Sequence, residues 1–129
     1  MSFDFTVKTD KNPVEVVNDL EMSLKDESFG VLWSFNVKEK LEEKGLGYDD
    51  DYYILEVCNP KDAKHVLELT KMTGYFLPCK VVVYTHNGET FVGMPKPTSL
   101  MEHVDNPEVR TAANDVEQRL ITCIENAVK

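Results

Sequence analysis

The sequence predicts an α+β domain built on an antiparallel sheet, and three observations carry that reading. Asn87-Gly88 lies between two short apolar runs. It marks a tight hairpin, because both residues of such a turn need positive φ. Asn-Pro pairs at positions 12, 59 and 106 each open a stretch of helical periodicity. Strand-like runs of period two lie between those helices.

Taken in order, Phe3, Phe5 and Val7 alternate with Asp4, Thr6 and Lys8 in a half-buried strand. Asn12 is an N-cap, Pro13 suits the first helical position, and Glu15 completes a box-like pair. Val16, Val17, Leu20 and Leu24 then predict a helix from about Pro13 to Lys25. From Phe29 to Phe35 a strand is expected with Phe29, Val31, Trp33 and Phe35 on one face. Asn36 and Glu39 repeat the cap pattern for a short helix that stops at Gly45, and Asp49-Asp50-Asp51 follow in a loop.

Tyr52 to Cys58 is apolar on both faces and is read as a central strand, with Glu56 as its one charged residue. Asn59-Pro60 starts a helix with Ala63, Val66 and Leu67 inward, and Gly74 and Pro78 bound a loop. Cys79 to Thr85 and Glu89 to Met94 are the two hairpin strands. Pro95-Lys96-Pro97 ends the sheet, and Thr98 to Val104 is read as a helical turn. The last helix begins at Asn106-Pro107 and buries Val109, Ala113, Val116, Leu120, Ile124 and Val128. The even spacing of the Asn-Pro pairs is not a repeat. It is one helix-start chemistry used three times, since the third helix ends the chain.

A chain of 129 residues suits one domain over residues 1–129, able to bury roughly two thirds of its unfolded surface. Asp and Glu number 23 against 14 Lys and Arg, a net charge of −9. That balance repels phosphate backbones and anionic lipid, so neither nucleic acid nor a membrane is an expected partner. The N-terminus lacks a basic region followed by an apolar stretch, and no run approaches the roughly 20 apolar residues of a membrane span. A cytoplasmic protein is expected. Three cysteines in a reducing compartment read as free thiols or a transient pair.

Cys58 directly precedes a helix start, where free N–H groups and the helix dipole would lower a thiol pKa. The plainer reading is a small apolar residue at a strand end. Between Cys58 and Cys79 a helix carries the chain roughly 18 Å out, and the following loop could bring it roughly 20 Å back. Their proximity is allowed, not required, and the spacing matches no zinc signature. Cys123, one residue off the stripe of the last helix, is expected at the core edge. His65, His86 and His103 do not cluster, and the acidic loop lacks the glycine and distal glutamate of a calcium loop. Glu56 in a strand calls for water, a partner or a pocket. With Tyr52, Lys80 and Tyr84 it would populate an open sheet face, the kind of surface that becomes a dimer interface or a ligand surface.

Tyr53-Ile54-Leu55-Glu56-Val57-Cys58-Asn59-Pro60, Leu77-Pro78-Cys79-Lys80-Val81-Val82-Val83-Tyr84 and the Asn-Gly turn with its proline-rich exit form an ordered set. Over nearly the whole chain this set resembles the family called domain of unknown function 302. The resemblance implies a two-layer TATA-binding-protein-like fold, with a curved, mainly antiparallel sheet covered by helices on one face, and often a homodimer. It implies no reaction and no known cofactor. It matches Cys58 and Cys79 to the family's cysteines and leaves Cys123 outside. The first functional reading is thus a homodimeric domain holding a small ligand or soft metal through Cys58 and Cys79, with Asn59, Pro60 and Glu56 nearby, or through the open sheet face. The others are an interaction domain with inert thiols and a thiol-based redox protein.

Overall fold

A computed structural model describes residues 3–129. Residues 1–2 of the N-terminal stretch read for a signal lie outside it. In chain order the elements are β1 (Asp4–Thr9), α1 (Pro13–Asp26), β2 (Gly30–Asn36), α2 (Val37–Glu43), β3 (Tyr52–Cys58) and α3 (Pro60–Leu69). A 3-10 helix (Lys71–Phe76), β4 (Cys79–His86) and β5 (Glu89–Pro95) follow. The chain ends with α4 (Pro97–Leu100), a 3-10 turn (Met101–His103) and α5 (Pro107–Ala127).

The Asn-Pro starts act as their chemistry requires. Asn12 Oδ1 accepts from the Glu15 amide at 2.9 Å, and Asn59 Oδ1 accepts from Lys61 and Asp62 at 3.0 and 3.1 Å. Asn106 Oδ1 accepts from Glu108 and Val109 at 3.0 and 3.3 Å. In each case proline occupies the first turn, where its missing N–H costs nothing. Asn106→Ala removes two capping bonds from the longest helix. A loss of about 1 kcal/mol is expected, a fall of about 4 °C in thermal midpoint, read by circular dichroism.

Asn87 and Gly88 take φ of 52° and 78°, and the turn they make joins β4 to β5. The strand order is β1-β5-β4-β3-β2, and every pairing is antiparallel. β4 is the central strand. β3, read as central, is interior but one place off centre, and its two-sided apolarity divides between Leu55 and Val57 in the core and Tyr52 and Ile54 on the opposite face. Leu55, Val57, Val81, Val83, Val92 and Met94 point to one face. There they meet Val16, Leu20 and Leu24 of α1 and Val116, Leu120, Cys123 and Ile124 of α5. A fully buried leucine contributes about 1.5–3 kcal/mol, so this single interface dominates the stability. The result is an α+β fold consistent with the TATA-binding-protein-like arrangement.

The structure corrects the sequence reading at several points. Leu67 of α3, read as inward, is 39% exposed. In β2, Val31 pairs with Val57 but Trp33 pairs with Glu56, so the register shifts between them. This bulge turns the strand over. Phe29 and Val31 join the core, whereas Trp33, at 51% exposure, and Phe35 go to the opposite face. Cys123 is fully buried rather than at the core edge, and its thiol donates to the Ser23 carbonyl at 3.4 Å. The segment from Gly74 to Pro78 is largely the end of a 3-10 helix rather than open loop.

Candidate functional site

Strand pairing brings the two cysteines together. Cys79 lies opposite Val57, the residue before Cys58. Both thiols line one cavity at the helix-side end of β3 and β4. Ala63 and Val66 of α3 and Ala113 and Val116 of α5 form its helical wall, and Phe29, Leu77 and Met101 close it from the connecting segments. The space admits water-sized centres over ≈ 30 Å³.

Both sulfurs are free thiols. Burial pushes Cys58 up from its ordinary value, and Asp62 pushes the same way. Burial, then Cys58, then Asp62 push Cys79 up to about 11. The expected lowering at the start of α3 does not occur. The amides that would steady a thiolate are bound to Asn59 Oδ1, and Asp62 adds negative charge in the first turn. Thiols held protonated are weak nucleophiles and weak ligands, so the surroundings do not favour the redox reading.

Asp62 is itself engaged. Its carboxylate accepts from Arg119 Nη2, while Arg119 also bonds Asp115 at 3.0 Å and lies over the Phe29 ring, 5.1 Å from the centroid. Asn59 donates to the Ser28 carbonyl at 3.1 Å. Among the described residues no group of three His, Cys, Asp or Glu is placed to hold a metal. A soft metal on Cys58 and Cys79 would therefore find no third ligand of those types there. Pro60 is the first residue of α3. Glu56 faces away from the cavity: it lies opposite Lys80, on the uncovered side of the sheet.

That uncovered side is strongly aromatic. Tyr52 and Tyr84 stack at 5.2 Å between centroids, Tyr84 and Phe91 at 5.5 Å, and Trp33 and Phe35 at 4.9 Å. The first two contacts join three neighbouring strands into one ladder. Sequence reasoning placed Tyr52, Lys80, Tyr84 and Glu56 on this face. It missed Trp33 and Phe35, which only the bulge puts there, and Phe91, which the hairpin register fixes opposite Tyr84.

Fold and site define a two-layer α+β protein with an apolar thiol-lined cavity on its helical side and an aromatic sheet face on the other. The chain belongs to the family described as domain of unknown function DUF302, whose model matches residues 5–127. It is similar to a solved structure, an uncharacterized conserved protein DUF302 from Bacillus stearothermophilus. That likeness has a TM-score of 0.95 and 47% identity over 100% of both chains. No curated protein matches. Among the described residues no helix is long and apolar enough to cross a membrane.

Proposed function

We propose that this chain works in the cytoplasm as a homodimeric binding domain that pairs through the open face of its sheet. The observation that carries this reading is the uncovered ladder Tyr52–Tyr84–Phe91, extended toward the sheet edge by Trp33 and Phe35. Apolar faces of this extent are interaction surfaces. Charge favours a second copy as the occupant. The strands present Lys8 and Lys80 against Asp4, Glu56 and Glu89 on this side, near neutrality in a chain of −9. The rest of the surface repels another copy, and this face does not. Glu56 and Lys80 are neighbours, so a two-fold axis beside them sets each glutamate against the lysine of the partner copy. Five strands of about seven residues cover on the order of 500 Å² in plan. Side-chain relief brings that toward the about 800 Å² per partner of a stable interface. Three free thiols agree with a reducing compartment.

Sedimentation equilibrium should give twice the 14.7 kDa chain mass for the wild type and a single chain mass for Phe91→Lys. Circular dichroism would confirm that the variant is folded. A wild type that stays monomeric, or a variant that stays dimeric, removes the proposal.

A further inference from the structure

We propose that Cys58, Cys79 and Met101 form a site for a single soft monovalent metal ion, Cu(I). Three sulfur-bearing side chains from three segments line one cavity: Cys58 from the end of β3, Cys79 from the start of β4 and Met101 from the turn after α4. The register sets Cys79 opposite Val57, the neighbour of Cys58. Adjacent strands lie about 4.8 Å apart, so both thiols come within reach of one ion. Cys79 and Met101 also share the walls of a second, smaller cavity. The polar residues at the margin are already used: Asn59 caps α3 and bonds Ser28, and Asp62 holds Arg119.

Size and donor type select the ion. The cavity admits water-sized centres over ≈ 30 Å³, far below the roughly 150 Å³ that takes up benzene and ample for one ion. Thiolate and thioether ligands select Cu(I), an ion satisfied by two or three donors, whereas structural zinc takes four. Among the described residues no group of three His, Cys, Asp or Glu is placed to begin a zinc set. Met101 supplies the third ligand that the thiols lack, and a thioether favours soft ions. Both cysteines are partly exposed while Met101 is buried, so the ion enters from the thiol side. Binding is ligand exchange with no change of oxidation state. Two S–H bonds break, two Cu–S bonds form, the thioether adds a third, and two protons pass to solvent. The loaded site carries one negative charge, and the Arg119 guanidinium borders it over the Phe29 ring.

Cu(I) itself is the probe, presented to the reduced full chain under nitrogen as its bathocuproine disulfonate complex. Loss of that complex's colour reads transfer, and one ion per chain is expected. X-ray absorption should show a shell of sulfur without nitrogen. Cys58→Ser or Cys79→Ser should weaken binding by more than about 100-fold, beyond what loss of a supporting outer residue costs. Met101→Leu keeps the bulk and should weaken it by about tenfold, because a thioether is the weaker ligand. Cys123 lies in the main core and is no part of the set, so Cys123→Ala should bind as the wild type does. Retention of Cu(I) by the serine variants, a nitrogen shell, undiminished binding in Met101→Leu, or loss in a folded Cys123→Ala would each overturn the site. If a serine variant does not fold, the Met101→Leu affinity and the absorption spectrum decide. Self-association is not required, so Phe91→Lys should take up one ion per chain. Loss of Cu(I) there would sink the site without touching the dimer, and a monomeric wild type that binds Cu(I) would do the reverse.

Discussion

Raising the pH from 8 through 11 is expected to remove several kcal/mol of stability, with Cys79 and Cys123 supplying a large share. Both thiols are pushed up from 9.0 to about 11, chiefly by burial. Cys58 and Asp62 add to the shift at Cys79, and Glu27 adds to it at Cys123 while Arg119 opposes. The folded pKa lies above the unfolded one, so the folded chain keeps a proton that the unfolded chain has released. The stabilisation is therefore complete below about pH 9 and disappears as the pH rises through about 11. Two units at about 1.4 kcal/mol each give on the order of 3 kcal/mol per thiol. Urea midpoints of the wild type, Cys79→Ala and Cys123→Ala, taken across this range, separate the thiols from titrating lysines and tyrosines. Each variant begins less stable, because truncation leaves a void, but should decline less steeply. Three parallel curves would show that burial does not govern these thiols.

The sequence made the elements legible wherever one residue's own chemistry decides the outcome. Asn12, Asn59 and Asn106 each have an oxygen that seeks amides, and Asn87-Gly88 tolerates φ that other pairs resist. These are local facts, and they appear in the structure where expected. The bulge between Val31 and Trp33 is not local. It leaves Phe29 and Val31 in the core and turns Trp33 and Phe35 to the opposite face, an outcome that no single residue's chemistry dictates.

The candidate site divides in the same way. Cys58, Asn59 and Cys79 were readable as candidates, but chain lengths left their meeting open, and only the β3–β4 register brings the thiols to one cavity. The sign of the Cys58 shift was misjudged because helix-start amides were counted as free, when Asn59 takes them and Asp62 supplies the charge. Ala63 and Ala113 were legible as inward positions but not as cavity walls, since a small residue on a helix marks a space only when the opposing surface is known. Glu56, grouped with the cysteines in sequence, belongs to the other face of the sheet rather than to the cavity.

Glu117 carried no signal. It lies within α5 next to Val116, where a charged residue reads as solvated, yet it is 6% exposed. One carboxylate oxygen accepts both the Thr98 amide at 3.0 Å and the Thr98 hydroxyl at 2.6 Å. Thr98 is the second residue of α4, a four-residue helix too short to persist by itself. The glutamate therefore ties that turn to α5. Hydrogen bonds to a charged group are worth about 1.5–3 kcal/mol, and a buried amide left bare costs about 1–3 kcal/mol. Glu117→Ala should accordingly lose about 3 kcal/mol, Thr98→Val about 1 kcal/mol, and Glu117→Gln less than alanine because it keeps an acceptor. Urea unfolding of the two single variants and of Glu117→Ala/Thr98→Val tests this directly. A tie between these side chains makes the double variant less costly than the sum of the singles. Strict additivity would mean that Glu117 acts elsewhere. The tie also steadies the cavity beside Cys58 and Cys79, because Pro97 and Met101 on this segment line it.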